Sequence, residues 1–435
     1  MIVNFSVRNY KSIKDEITLS FEASKSEDME KHYVIRSVKN MRLLKLGIIY
    51  GANASGKTTI LEALDFLKNI VINPFHKKTS KFDFEPFLFN DVSRGENTVF
   101  TLEFVSNRVK YLYNVQLNRE CIVRESLYYY APNKALVFNR VTDLDKQLVD
   151  IEFGSKIDTI SESRKALTGN TLPNNTVIGG FLKTNMALQE LHDVASWFKS
   201  VLKPVITPET KLAAFLFKQF EEDKKKKENL LRILNKADFR VSDIQYRKDL
   251  VDVSDEVIDA ISKTPLLPVP EIERIKDTGK IEVTDIMMQH TVNSENYLLP
   301  IESESAGTKR YYELAGIMAV FSGKETVIPV DEFESSLHPD LVKHFLLTFL
   351  TNSTKSQLIV TTHMRELLME KEILRNDVIW FTEKKEDDST DLYNLTDFGS
   401  SVVRNTSSIF KAYKFGKLGA FPNLSDYYIG MNSGE

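Results

Sequence analysis

The run Gly51-Ala52-Asn53-Ala54-Ser55-Gly56-Lys57-Thr58-Thr59 carries the residue types and spacing that hold phosphate. The two glycines of G-x-x-x-x-G-K-T let backbone N–H groups close around phosphate oxygens, with Asn53, Ser55 and Thr59 completing the loop. Lys57 places a point charge at the β/γ-phosphates, and Thr58 is the expected Mg2+ ligand. The apolar run Leu46-Gly47-Ile48-Ile49-Tyr50 before the loop reads as a buried strand. After it, Ile60, Leu61, Ala63, Leu64, Leu67 and Val71 recur at helical spacing. Strand, glycine loop and helix are the context the motif requires, and they weigh against a glycine turn that binds nothing. The implied ligand is ATP or GTP with Mg2+.

Two later apolar runs end in groups suited to phosphoryl chemistry. Thr326-Val327-Ile328-Pro329-Val330 leads into Asp331-Glu332, and Gln357-Leu358-Ile359-Val360-Thr361-Thr362 leads into His363. Triphosphate hydrolysis needs a metal at the β/γ oxygens, a group that orients water, and donors for the transferring charge. Asp331 suits the metal, Glu332 the water and His363 the γ-phosphate. A strand-end acidic pair or histidine is ordinary structure when it stands alone. In this order behind a phosphate loop, Lys57, Glu332 and His363 form a catalytic candidate set, with Thr58 and Asp331 at the metal. Ser305-Ala306-Gly307-Thr308 opens its own helix, so Ser305 and Gly307 offer N–H groups and a hydroxyl to an anion.

These groups need elements to position them. Met1 to Phe21 alternates in hydropathy and predicts two strands and a turn through Asn9-Tyr10-Lys11-Ser12, with a polar connecting loop over 22–41. Runs at 98–105, 108–117 and 122–130 predict an antiparallel sheet beside the nucleotide core. Phe82, Phe84, Phe87 and Phe89 belong to core on this reading rather than to base stacking. From about 140 to 295 helical blocks at 186–198 and 212–234 alternate with polar stretches. The run Glu221 to Glu228 reads as a solvated helix face, and Pro265 to Pro270 as a loop. Ile281-Glu282-Val283 and Ile286 to His290 look like returning strands, and Glu386-Asp387-Asp388 like a hairpin turn.

With 435 residues, 42% hydrophobic, the chain has enough apolar material for a large core. Lys+Arg 57 against Asp+Glu 61 gives a net charge of −4, which excludes a global field drawing it to nucleic acid or anionic membrane. Its one cysteine, Cys121, excludes an internal disulfide and fits a cytoplasmic location. No apolar run approaches transmembrane length and no leader is visible at the start, so no membrane association is expected.

Gly51–Thr58, Ser305–Thr308, Val327–Glu332 and Ser356–His363 resemble the Walker A, signature, Walker B and switch-histidine elements of an ABC/SMC-type (RecF/OLD-like) ATPase. The opening strands, Phe84-Glu85-Pro86-Phe87, Asp331-Glu332-Phe333-Glu334 with Leu337-His338-Pro339, Ile379 to Lys384 and Lys417 to Pro422 are further similar to bacterial stand-alone AAA family ATPases of anti-phage defence loci, relatives of the AbiLii, RloA and AriA ATPase subunits. The resemblance implies an α/β fold: an ABC-type P-loop ATPase head with an antiparallel β lobe and an inserted mainly helical subdomain. It implies one ATPase lobe over 1–140, the insertion over 141–295 and a second lobe over 296–435. It implies ATP and Mg2+ as cofactors, and a homodimer or higher homo-oligomer in which Ser305 and Gly307 face the partner's nucleotide. Relatives control a toxic effector from a neighbouring gene, often a TOPRIM-type nuclease, in response to a phage protein or DNA.

Ala306 and Thr308 depart from the transporter signature, and Pro329 in the Walker B strand is expected to forfeit a ladder hydrogen bond, which points to a slow or conditional ATPase. A RecF/SMC-like DNA-repair or DNA-binding ATPase is the alternative, although no sustained heptads appear. A self-contained OLD-type nuclease is disfavoured, because only about 70 residues follow His363.

Overall fold

The structure is a computed structural model and describes residues 1–38, 41–258, 269–370, 373–398 and 409–420. The chain divides into two compact units. One comprises Met1–Glu209, Gly323–Glu334 and Leu350–Glu435; the other comprises Thr210–Ser322 and Ser335–Phe349.

In the first unit, β1 (Ile2–Arg8) pairs antiparallel with β2 (Ile17–Ser20). The connection over 22–41 is not all loop: Glu30–Tyr33 makes a single helical turn, and β3 (Val34–Arg36) pairs with β4 (Arg42–Leu44). The buried ring of Tyr33 anchors that turn against the core. The next strand, β5 (Leu46–Gly51), is buried at every position and ends at the phosphate loop, after which helix Lys57–Ile72 begins.

The chain then builds β6 (Thr98–Ser106), β7 (Val109–Leu117), β8 (Ile122–Tyr130), β9 (Lys134–Asp143) and β10 (Leu148–Phe153). With the first two strands they form a seven-stranded sheet in the order β10-β9-β8-β7-β6-β1-β2. Its strands alternate buried and partly exposed residues, the pattern of an antiparallel sheet with one covered face. Phe82, Phe84 and Phe87 are buried, and Phe84 stacks on Tyr10 beside Phe66 and Phe100, so these three rings are core. Phe89 alone of the four lies in solvent, 72% exposed.

The boundary expected at residue 140 falls inside β9, and the helix Gln189–Ser196 also belongs to the first unit. Hydropathy places that helix correctly as an element. It does not reveal that the sheet continues two strands further, because β10 alternates without any fully buried residue.

The second unit contains helices Ala213–Glu222 and Lys224–Lys236, then β11 (Val241–Asp252), β12 (Lys280–Val292) and β13 (Glu295–Pro300) in one antiparallel sheet. The charged run does not ride one continuous helix. Asp223 breaks the pair and caps the second helix by accepting from Lys225 N, while Lys227 pairs with Asp243 at 2.7 Å. The two returning strands near 281–290 are a single long strand, β12. Of the proline-rich stretch, Val269 and Pro270 begin the helix Val269–Thr278, and 265–268 lie outside the described residues.

The remaining strands complete the nucleotide core of the first unit: β14 (Thr326–Val330), β15 (Ser356–Thr362), β16 (Ile379–Lys384) and β17 (Thr390–Asn394). The order is β14-β15-β5-β16-β17, parallel except for the last strand. β14, β15 and β5 are buried at every position, as parallel strands covered on both faces are. Their register matters for function: Val330 pairs with Val360 and Thr362 with Tyr50. Asp331, His363 and Gly51 therefore emerge together at the carboxyl edge, where open α/β sheets bind ligands.

Pro329 does not forfeit a bond to β15. Its carbonyl accepts from Ile206 N at 3.0 Å, so its missing N–H lies on the outer side of an edge strand that the 202–206 segment covers. Asp387 and Asp388 occupy a turn between β16 and β17, as expected, closed by Lys385 N donating to Ser389 O at 2.8 Å. Among the described residues no helix is long and apolar enough to cross a membrane.

Candidate active site

The phosphate loop is bent by two left-handed residues, Ala54 (φ 59°) and Gly56 (φ 100°), the second standing as N-cap of helix Lys57–Ile72. Gly56 cannot carry a side chain: a Cβ there would lie 2.1 Å from Thr390 Oγ1. Gly51 is equally confined, 2.3 Å from Thr382 Oγ1. Ser55 is buried between these threonines, Thr59 is half-buried at the first helical turn, and Asn53 is exposed at the tip.

Lys57 is 6% exposed, and its ammonium donates to the carbonyls of Gly51 at 3.0 Å and Ala52 at 2.9 Å. Desolvation lowers its pKa to about 8, against the raising effect of Asp331, Glu334 and Glu332. Thr58 Oγ1 donates to Asp331 Oδ2 at 2.9 Å and lies 3.2 Å from Oδ1. Asp331 also accepts from Thr361 Oγ1 of the neighbouring strand, and that hydroxyl accepts from Glu332 N at 2.9 Å. Glu332 holds a left-handed backbone, φ 43°, with its side chain exposed. Such a conformation in a non-glycine residue costs free energy and recurs where function fixes geometry.

His363 stands at the end of β15, and its backbone N–H donates to Glu334 Oε1 at 2.5 Å. Partial desolvation, then the charge of Lys57, holds the imidazole below its ordinary pKa. Glu334 Oε2 is buried with no hydrogen-bond partner among the described residues. The loop, the acidic pair and the histidine thus converge in one unit.

Ser305 and Gly307 belong to the other unit. Ser305 caps helix Ala306–Phe321, its side chain accepting from Thr308 N at 3.0 Å, which is the helix opening expected. A Cβ at Gly307 would come within 2.8 Å of Ser336 O, so glycine is required for close backbone approach.

The donor set fits a magnesium nucleotide. A hydroxyl and a carboxylate stand side by side, and Mg2+ uses one or two carboxylates with substrate phosphates rather than a cage of protein ligands. Among the described residues no cluster of three or more His, Cys, Asp or Glu suited to a metal occurs. Asp331, Glu332 and Glu334 would repel a bare triphosphate, and a divalent cation offsets that repulsion.

The family described as "AAA domain, putative AbiEii toxin, Type IV TA system" matches residues 47–370. The chain belongs to this AAA family. The matched residues take in β5, the phosphate loop, the acidic pair and His363, so this AAA ATPase carries its chemistry within the family's span. β1, β2, β16 and β17 lie outside it.

Solved structures similar to the AAA ATPase are distant. The SMC head domain from Thermotoga maritima has 13% identity and a TM-score of 0.40, covering 90% of this chain and 98% of that one. The Smc head bound to the C-terminal domain of ScpA from Pyrococcus furiosus has 14% identity and a TM-score of 0.34, covering 96% and 98%. No match is found among curated proteins.

Sequence reasoning missed the contacts of Thr361, Thr382, Thr390 and the half-buried Glu334. Thr361 and Glu334 stand beside motif residues and carried a positional signal. Thr390 carried none, because only the pairing of β17 with β16 brings it to the loop.

Proposed function

We propose that this AAA ATPase is the ATP-binding and ATP-hydrolysing sensor or scaffold of a bacterial anti-phage, abortive-infection system. It closes as a homodimer on ATP and controls a separate effector, a nuclease. The observation that carries the nucleotide chemistry is the meeting of Thr58, Asp331, Glu332 and His363 around Lys57 at one sheet edge.

In this reading Gly51, Asn53, Ser55, Gly56 and Thr59 shape the N–H cradle, and Lys57 exchanges its loop carbonyls for phosphate oxygens. Thr58 and Asp331 hold Mg2+, which when bound neutralises the β/γ oxygens. Glu332 accepts a hydrogen bond from the attacking water and orients it. His363 donates to the γ-phosphate end of the site and reports its presence. Ser305 and Gly307 complete the site of a second copy, so that one chain with a single set of motifs works as a pair. The family's description names a toxin and a TA system, which supports control of a toxic partner rather than transport.

The test is phage plating on cells carrying the gene with its native neighbours, beside Lys57→Ala and each neighbour deleted. Protection that requires Lys57 and one neighbour is the expected result, and it names the effector. No protection across a broad phage panel, with sensitivity to DNA damage when the gene is lost, overturns the defence role in favour of a RecF/SMC-like DNA-repair ATPase.

A further inference from the structure

The β16–β17 hairpin lies against the back of the phosphate loop through two buried threonines, 0% and 1% exposed at Thr382 and Thr390. Ser55 Oγ and Thr382 Oγ1 are 2.6 Å apart, and Thr382 Oγ1 donates onward to Tyr50 O at 3.2 Å. Thr390 Oγ1 donates to the carbonyl of Ser55 at 3.1 Å and lies 2.8 Å from Ser12 Oγ, which is 3.3 Å from Thr59 Oγ1. The backbone repeats the connection: Thr390 N donates to Ser12 O at 2.8 Å. With Thr382 donating to Tyr50 O and Thr390 to Ser55 O, Ser55 donates to Thr382 and the single Ser12 proton goes to Thr390, the closer of its two neighbours, rather than to Thr59.

The arrangement has a direction. A phosphate cradle works only if its N–H groups point inward. Thr390 supplies an outward partner for the Ser55 carbonyl, and it occupies the space that the missing Cβ of Gly56 leaves. Thr382 does the same beside Gly51. Outside the loop, Lys14 pairs with Asp387 at 2.7 Å and Lys385 with Asp15 at 3.3 Å, joining the hairpin turn to the β1–β2 turn that bears Ser12.

We infer that Thr390, with Thr382 and Ser12, is a positioning residue of the nucleotide site, a hydroxyl clamp that holds the phosphate loop in its binding geometry. The clamp lies outside residues 47–370, so the loop depends on strands beyond the family's span. The inference rests on the ATPase reading and extends it to residues that touch no nucleotide.

The test is titration of the full chain with a fluorescent ATP analogue and Mg2+, well below the melting temperature, for wild type, Thr390→Val and Thr390→Ser. Valine keeps the volume, removes the hydroxyl and strands the Ser55 carbonyl, and the affinity is expected to fall roughly tenfold. Thr390→Ser is expected to restore it to within about twofold, since the hydroxyl returns. Wild-type affinity in Thr390→Val, or no rescue by serine, overturns the clamp. A wild type that binds no analogue overturns the ATPase reading itself. If Thr390→Val fails to fold, Ser12→Ala is read in the same way: roughly threefold weaker binding supports the clamp, and unchanged binding overturns it.

Discussion

Thr58 Oγ1 and Asp331 Oδ2 lie 2.9 Å apart, although 273 positions separate them in the chain. The pair joins the first turn after the phosphate loop to the end of β14. Asp331→Asn keeps the shape and a hydrogen-bond acceptor but removes the charge that the metal requires. We expect Mg2+ to cease tightening nucleotide binding in this variant, while binding without Mg2+ is retained. Parallel titrations with Mg2+ and with EDTA check this.

Lys57 makes binding depend on pH. Its pKa in the free protein is lowered to about 8 from the model-peptide value of 10.5. Between those values the folded chain binds fewer protons than the unfolded chain, so this residue's contribution to stability rises with pH across that window. Nucleotide binding runs the other way, because phosphate favours the charged ammonium. Affinity is expected to hold below pH 8 and to weaken by about tenfold per pH unit above it. Binding isotherms from pH 7 to 9.5 check the slope. Melting curves against Lys57→Met check the opposite trend in stability.

Pro329 faces Ile206 rather than β15. Pro329→Val is therefore expected to change stability by no more than about 1 kcal/mol and to leave ATP turnover near wild type. A large gain in turnover would show instead that the proline restrains the acidic pair.

The proposed dimer predicts complementation. Neither Lys57→Ala nor Ser305→Arg alone retains a competent site if Ser305 serves the partner's nucleotide. Mixed in equal amounts, the two should form one competent site in each heterodimer and recover about a quarter of wild-type turnover, since half of randomly paired dimers are mixed. No recovery, with heterodimers shown by differential tagging, would contradict the shared site.

Much of the site was legible because its residues are tied to local patterns. Gly51 to Thr59 declares itself by spacing, and Asp331-Glu332 and His363 by standing at the ends of apolar runs that became β14 and β15. Alternation at 98–105, 108–117 and 122–130 placed three strands of the antiparallel sheet to within one residue of their ends. What escaped depends on pairing across long stretches of chain. Thr390 reaches Gly56 through the order β5-β16-β17, and a half-exposed five-residue strand carries no trace of that order. The side of the edge strand that Pro329 faces was hidden for the same reason, since it follows from the 202–206 segment lying alongside.

The most direct measurement of the central claim is ATP binding and turnover by Glu332→Gln beside wild type. The amide keeps the size of the side chain but no longer accepts a proton or orients water as the carboxylate does. We predict that the variant binds Mg2+ and ATP at least as tightly as wild type, hydrolyses it roughly 100-fold more slowly, and accumulates as an ATP-bound dimer. Unchanged hydrolysis with no trapped nucleotide would contradict the account.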